Sequence, residues 1–221
     1  MRANYHEQLD GVLEQMVRMA DLVSVAVKDS TTALLEADLT KAESVITNDA
    51  QLDQMHEELE FECLSLLARQ APVAGELRTI VSAIRVVFEL ARMGDLAAHV
   101  AKIARLRYPE HAVPTTLEAN FTRMGEVAYE MIELAKQTLA ERDAHLAEGL
   151  AVDDEEMDAL RRDQFKVLLA DDWNEGVEKA VDTALLGRYF ERLSDHAVAV
   201  GRRVIYLVTG EVPAGEQWPN A

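Results

Sequence analysis

The stretch YFERLSDHAVAVGRR, residues 189–203, has helical apolar spacing yet carries Glu191 and Asp195 four positions apart in its middle. On a helix that spacing puts both carboxylates on one face, about 6 Å apart, where like charges repel. An arginine, a metal ion or plain water could make the placement worthwhile. The same pattern occurs elsewhere: Asp154 and Asp158 are four apart, as are Asp49 and Asp53, and Asp95 has Ala91 four positions before it. If adjacent helices bring such pairs together, three or four carboxylates converge on one patch. Oxygen-only ligands of that kind suit hard or borderline divalent cations and iron. The competing reading is internal ion pairing. Arg192 lies three residues before Asp195 and Arg92 three before Asp95, and exposed pairs of this kind stabilise by only ~0.3–0.5 kcal/mol.

Histidines lie near the acids. His99 shares a helix face with Asp95, and His56 follows Asp53 by three, so either could add to the first group; His196 points away from Asp195. No nucleophile stands beside a base, and no glycine-rich loop follows a strand. The residues do not suggest an enzyme.

Six amphipathic runs must position these side chains, and no strand is expected. The first covers about 4–37. Asp38 and Thr40 start the second, with Thr40 and Glu43 in the form of a capping box, and it continues to about Gln70. Pro72 breaks the chain before a third run over 73–107. Pro109 and Pro114 bracket the best domain boundary, dividing the chain into 1–110 and 111–221. Thr115 and Glu118 open a fourth helix, Asp143 starts a fifth, and DDWNEG separates a sixth that ends near Gly210 with Pro213 just beyond. Met16, Met19, Met93, Met124 and Met131 sit at core spacing, and Cys63 reads as a buried thiol among Phe61, Leu64, Leu66 and Leu67.

The two halves repeat. Shifting residues 34–53 by 105 makes seven of twenty positions identical, including Asp38/Asp143, Asp49/Asp154 and Asp53/Asp158. Past the RQAPVAGE loop the shift becomes 100 and aligns Arg92/Arg192, Asp95/Asp195 and Ala97/Ala197. The expected fold is all-α: two pseudo-symmetric three-helix bundles.

Composition narrows the function. The chain has 221 residues, 49% of them hydrophobic but only 5% aromatic, with 5 prolines and 10 glycines, a balance that favours helices. Its 40 acids against 22 bases give a net charge of −18, a surface that repels nucleic-acid backbones. One cysteine suits a reducing compartment. The opening MRANYHEQLDG lacks the apolar core of a secretion signal, and no window of about 18 uncharged apolar residues is present to cross a bilayer. A cytoplasmic location is expected, with any membrane association made through a protein partner.

Together, the repeat and its motifs resemble the PhoU family of phosphate-signalling regulators, over about residues 5–210. APVAGELR (71–78) is similar to that family's Pro-Val-Ala-x-Asp-Leu-Arg, with Glu76 in place of Asp. ARMGDLAAHVAKIA (91–104) and ERLSDHAVAVGRRV (191–204) resemble its Glu-Arg-x-Gly/Ala-Asp signature. The resemblance implies two patches that hold iron or other divalent metal. One would use Asp154, Asp158, Glu191 and Asp195; the other would use Asp49, Asp53 and Asp95, one ligand short at Ala91. Glu89 is no substitute for the missing acid, because two positions along a helix turn it about 200° from that face. The resemblance also implies a non-enzymatic adaptor between the ATPase subunit of a phosphate ABC transporter and a sensor histidine kinase, with Arg78 a candidate partner contact and a homodimer an open question. Two other readings stand beside it: a metal-free helical adaptor of another system, and a ferritin-like di-metal carboxylate protein. The last needs Glu-x-x-His pairs on its helices, which the chain lacks.

Overall fold

The computed structural model describes residues 2–211. Pro213 lies outside them. Among the described residues there are six α-helices and no strand: α1 (Arg2–Glu36), α2 (Leu39–Gln70), α3 (Gly75–Arg107), α4 (Glu118–Glu141), α5 (Ala144–Leu168) and α6 (Gly176–Thr209). At 1.5 Å per residue, the 35 residues of α1 make a rod of about 50 Å.

The helix ends follow local chemistry. Asp38 rather than Thr40 caps α2: its backbone is extended and its carboxylate accepts from the Lys41 N–H at 3.0 Å. Asp143 does the same for α5, accepting from the His145 N–H at 2.8 Å. The residue before each cap is left-handed, Ala37 at φ 51° and Arg142 at φ 52°, so the repeat extends to the backbone of the turns. Thr115 does not open α4. Residues Thr115–Leu117 form a 3-10 turn, and α4 begins at Glu118 with no side-chain cap. Gly210 ends α6 at φ 78°, as its lack of a Cβ allows.

Helices α1–α3 pack on one another, as do α4–α6, and the halves meet along α1 with α4 and α3 with α6. Both joining pairs run antiparallel. Ser24 donates to Glu133 at 2.5 Å, Asp21 pairs with Lys136 at 3.0 Å and Asp10 with Arg142 at 3.3 Å, so position falls along α1 as it rises along α4. One apolar core runs through both halves and includes all five methionines expected there. Cys63 is buried, and burial pushes its thiol up to about 12. Its neighbours divide by helical angle. Leu66 and Leu67 join the core, while Phe61 (71% exposed) and Leu64 turn outward, so the thiol is buried as expected with two of the four apolar neighbours beside it in sequence.

At the α1–α4 crossing Gly125 lets the rods approach until a Cβ there would collide with the Thr31 side chain. Ala20, its counterpart by the 105 shift, is fully buried. Gly125→Leu is expected to lower stability by about 1–3 kcal/mol through overpacking; an unchanged urea midpoint would mean that the halves do not pack this closely.

Candidate functional site

Asp154 on α5 lies within electrostatic reach of Asp158 on its own helix and of Glu191 and Asp195 on α6. The Asp154 carboxyl is raised above the usual range first by burial and then by Asp158 and Glu191, against the opposing effects of a Ser194 hydrogen bond and of Arg202. Asp195 is raised by burial, then by Asp154 and Glu191, with Arg188 and His196 opposing. In the first half Asp49 is raised by burial, then by Asp95 and Asp53, with Lys102 opposing. Asp49 thus has Asp53 on its own helix and Asp95 on α3 as electrostatic neighbours, and Asp154 has Asp158 on its own helix and Asp195 on α6. A close approach helps place the first trio: a Cβ on Gly94 would lie 2.5 Å from Leu52 Cδ1, and these residues adjoin Asp95 and Asp53.

Glu191 is differently placed. Its Oε1 accepts from Arg161 Nη1 on α5, and its Oε2 from Arg188 Nη1 one turn earlier on α6. Its side chain is 13% exposed. The Arg161 guanidinium lies over the Phe165 ring, 5.4 Å from its centroid. Thus arginine, offered at the outset as one answer to the paired acids, is the answer for Glu191. Asp95 likewise pairs with Arg92 at 2.5 Å. Among the described residues no group of three or more His, Cys, Asp or Glu side chains is arranged to hold a metal ion. Two chemical facts fit that arrangement. Both Glu191 oxygens are taken by guanidinium groups, and Ala91 supplies no donor. As the side chains stand, neither patch offers the four-carboxylate ligand set.

The histidines take other roles. His196 Nδ1 meets Glu89 Oε2 at 2.6 Å, tying α6 to α3 across the halves. His99 stacks obliquely near Tyr189, with ring centroids 5.3 Å apart, and burial lowers its proton affinity. His56 meets the Phe88 ring edge-on at 6.4 Å. Arg78 Nε donates to the Leu207 carbonyl at 3.2 Å, closing the C-terminal turn of α6 from α3. The Arg188–Glu191 spacing was visible in the sequence, but the Arg161, Glu89 and Arg78 contacts required the register between helices.

Compared with known proteins, the chain matches the PhoU domain family twice, over residues 16–104 and 121–204. A Mycobacterium tuberculosis protein, phosphate-specific transport system accessory protein PhoU homolog 2, is 46% identical over 96% of this chain and 100% of its own length. PhoU homolog 1 of the same organism is 44% identical over 98% of each chain. The crystal structure of PhoU from Pseudomonas aeruginosa is similar with a TM-score of 0.86 at 30% identity, covering 94% of this chain and 100% of that one. No helix among the described residues is long and apolar enough to cross a membrane.

The raised aspartates carry a stability consequence with a definite sign. A carboxyl that binds its proton more tightly in the folded chain favours folding below its unfolded pKa, and that contribution is lost as pH rises through the folded pKa. At neutral pH these ionised carboxylates, partly buried and beside other acids, oppose folding. Asp154→Asn is accordingly expected to stabilise the fold at pH 7, by up to about 0.5 kcal/mol on the scale of exposed charge interactions, with the gain vanishing near pH 4. A lower melting temperature for the variant at pH 7 would contradict this.

Proposed function

Because the chain belongs to the PhoU family, we propose that it is a non-enzymatic accessory of a phosphate-specific transport system, coupling the transporter's ATPase subunit to a sensor histidine kinase and restraining the phosphate-starvation response when phosphate is plentiful. The observation that carries this reading is the double family match, one on each three-helix half, with relatives of that name aligned over nearly the whole chain. A scaffold of long rods suits docking. It offers extended surface without needing a catalytic pocket.

The corners of the two halves are the favoured docking points. At the α2–α3 turn Ala71 holds left-handed backbone at φ 44° and Ala74 a positive φ of 50° outside the left-handed helical region, sparsely populated conformations that cost about 1–3 kcal/mol each for a residue with a Cβ. Between them Val73 stands 72% exposed, near Leu77 on the first turn of α3. The corresponding α5–α6 corner exposes Leu169 and Val177. Strain retained in a loop with exposed apolar side chains fits a surface kept for a partner. With a net charge of −18, the chain favours partners that present basic residues around an apolar contact.

Deleting the gene together with any paralogue is expected to leave starvation genes expressed in high phosphate; normal repression in that strain would refute the regulatory role. Both genes matter, since the two Mycobacterium tuberculosis relatives occur in one organism. In pull-downs with the purified ATPase subunit and the kinase cytoplasmic region, Val73→Asp with Val177→Asp is expected to cut retention about tenfold, the effect of losing an interface anchor, while leaving the melting temperature unchanged. Undiminished retention would place the docking surface elsewhere.

A further inference from the structure

The repeat allows each side chain around Glu191 to be compared with its counterpart in the first half. By the 100 shift Glu191 corresponds to Ala91 and Arg188 to Phe88; by the 105 shift Arg161 corresponds to His56. The charged trio Arg161–Glu191–Arg188 of the second half is thus a His56–Ala91–Phe88 cluster in the first, where imidazole and phenyl rings meet edge-on. Acid and both arginines are absent together. The neighbouring aspartates do not follow them: Asp49, Asp53 and Asp95 persist opposite Asp154, Asp158 and Asp195. A glutamate that served the same ion as the aspartates would be replaceable without regard to two arginines. One that served the arginines would change with them, as is seen here.

We infer that Arg161 and Arg188 do at Glu191 what a bound cation would do, forming a closed ion triad between α5 and α6 that withholds this carboxylate from divalent metal. The geometry supports each part. Both carboxylate oxygens are engaged, one from each arginine. Glu191 is nearly buried, and Arg161, 27% exposed, lies over Phe165, which limits how readily it swings away. A guanidinium matches a carboxylate in shape and is always charged. A divalent ion approaching Glu191 would have to displace one arginine and remain beside the other. The metal ligation that the family resemblance implies for Glu191 is therefore not met by this chain's residues; the aspartate trios are what the halves share.

The test is Mn2+ binding to the purified full-length protein, followed by the electron paramagnetic resonance of the free ion. Because it reads ion binding alone, its outcome is separate from whether the chain serves the proposed transporter and kinase. Glu191→Gln is expected to bind Mn2+ as the unaltered protein does, because Glu191 is not available to begin with. Arg161→Gln is expected to bind it about tenfold more tightly, the scale on which a neighbouring group tunes metal affinity, and adding Glu191→Gln to that variant should abolish the gain. Either of two results overturns the inference: a tenfold loss of Mn2+ affinity in Glu191→Gln alone, or no gain in a folded Arg161→Gln protein. If Arg161→Gln does not fold, the Glu191→Gln comparison decides.

Discussion

The packing of α3 constrains the rest of the structure. It touches α1 and α2 within its own half and α6 across the halves, so side chains around much of its circumference are enclosed. Small and apolar residues fill it: Ala83, Ala91, Gly94, Ala97, Ala98, Ala101 and Ala104 are all buried. Charges near these contacts keep partners, as unpaired buried charge is costly. Glu89 meets His196, Asp95 meets Arg92, and Arg107 at the end of the helix meets Asp182 and Glu178 on α6. Through α3 and α6 the two halves become one hydrophobic unit while keeping their internal likeness.

Within that frame the halves have diverged by exchanging whole clusters. Where the second half uses an ion triad to join α5 and α6, the first uses small and aromatic side chains between α2 and α3. Breaking a buried ion pair by removing one member is strongly destabilising, whereas replacing the whole group by packed apolar residues is often neutral. That asymmetry explains why the acid and its arginines change together. The aspartate trios obey no such rule. They persist in both halves although burial, and after it the neighbouring carboxylates, raises Asp49, Asp154 and Asp195, a standing cost at neutral pH.

Such a scaffold suits an accessory role. Rods about 50 Å long, closed by a continuous core, present extended faces and corners, and the strained α2–α3 turn displays Val73 where neither half needs it for its own packing.

Much was legible in the sequence. Helical period placed six helices and the core methionines, the repeat picked out the spaced aspartates, and Gly210 marked the end of α6; these depend on neighbours three or four residues apart, which the chain itself specifies. Cap identity was half legible, because Asp38 and Thr40 both qualify by type and only backbone geometry selects Asp38. The arginines at Glu191, the Glu89–His196 tie and the Arg78 closure of α6 could not be read. Each joins residues on different helices, and their register is set by how closely rods approach at positions such as Gly94 against Leu52 and Gly125 against Thr31. A shift of one turn along α5 would leave every sequence pattern intact and give Glu191 a different partner, so its role was decided by tertiary packing.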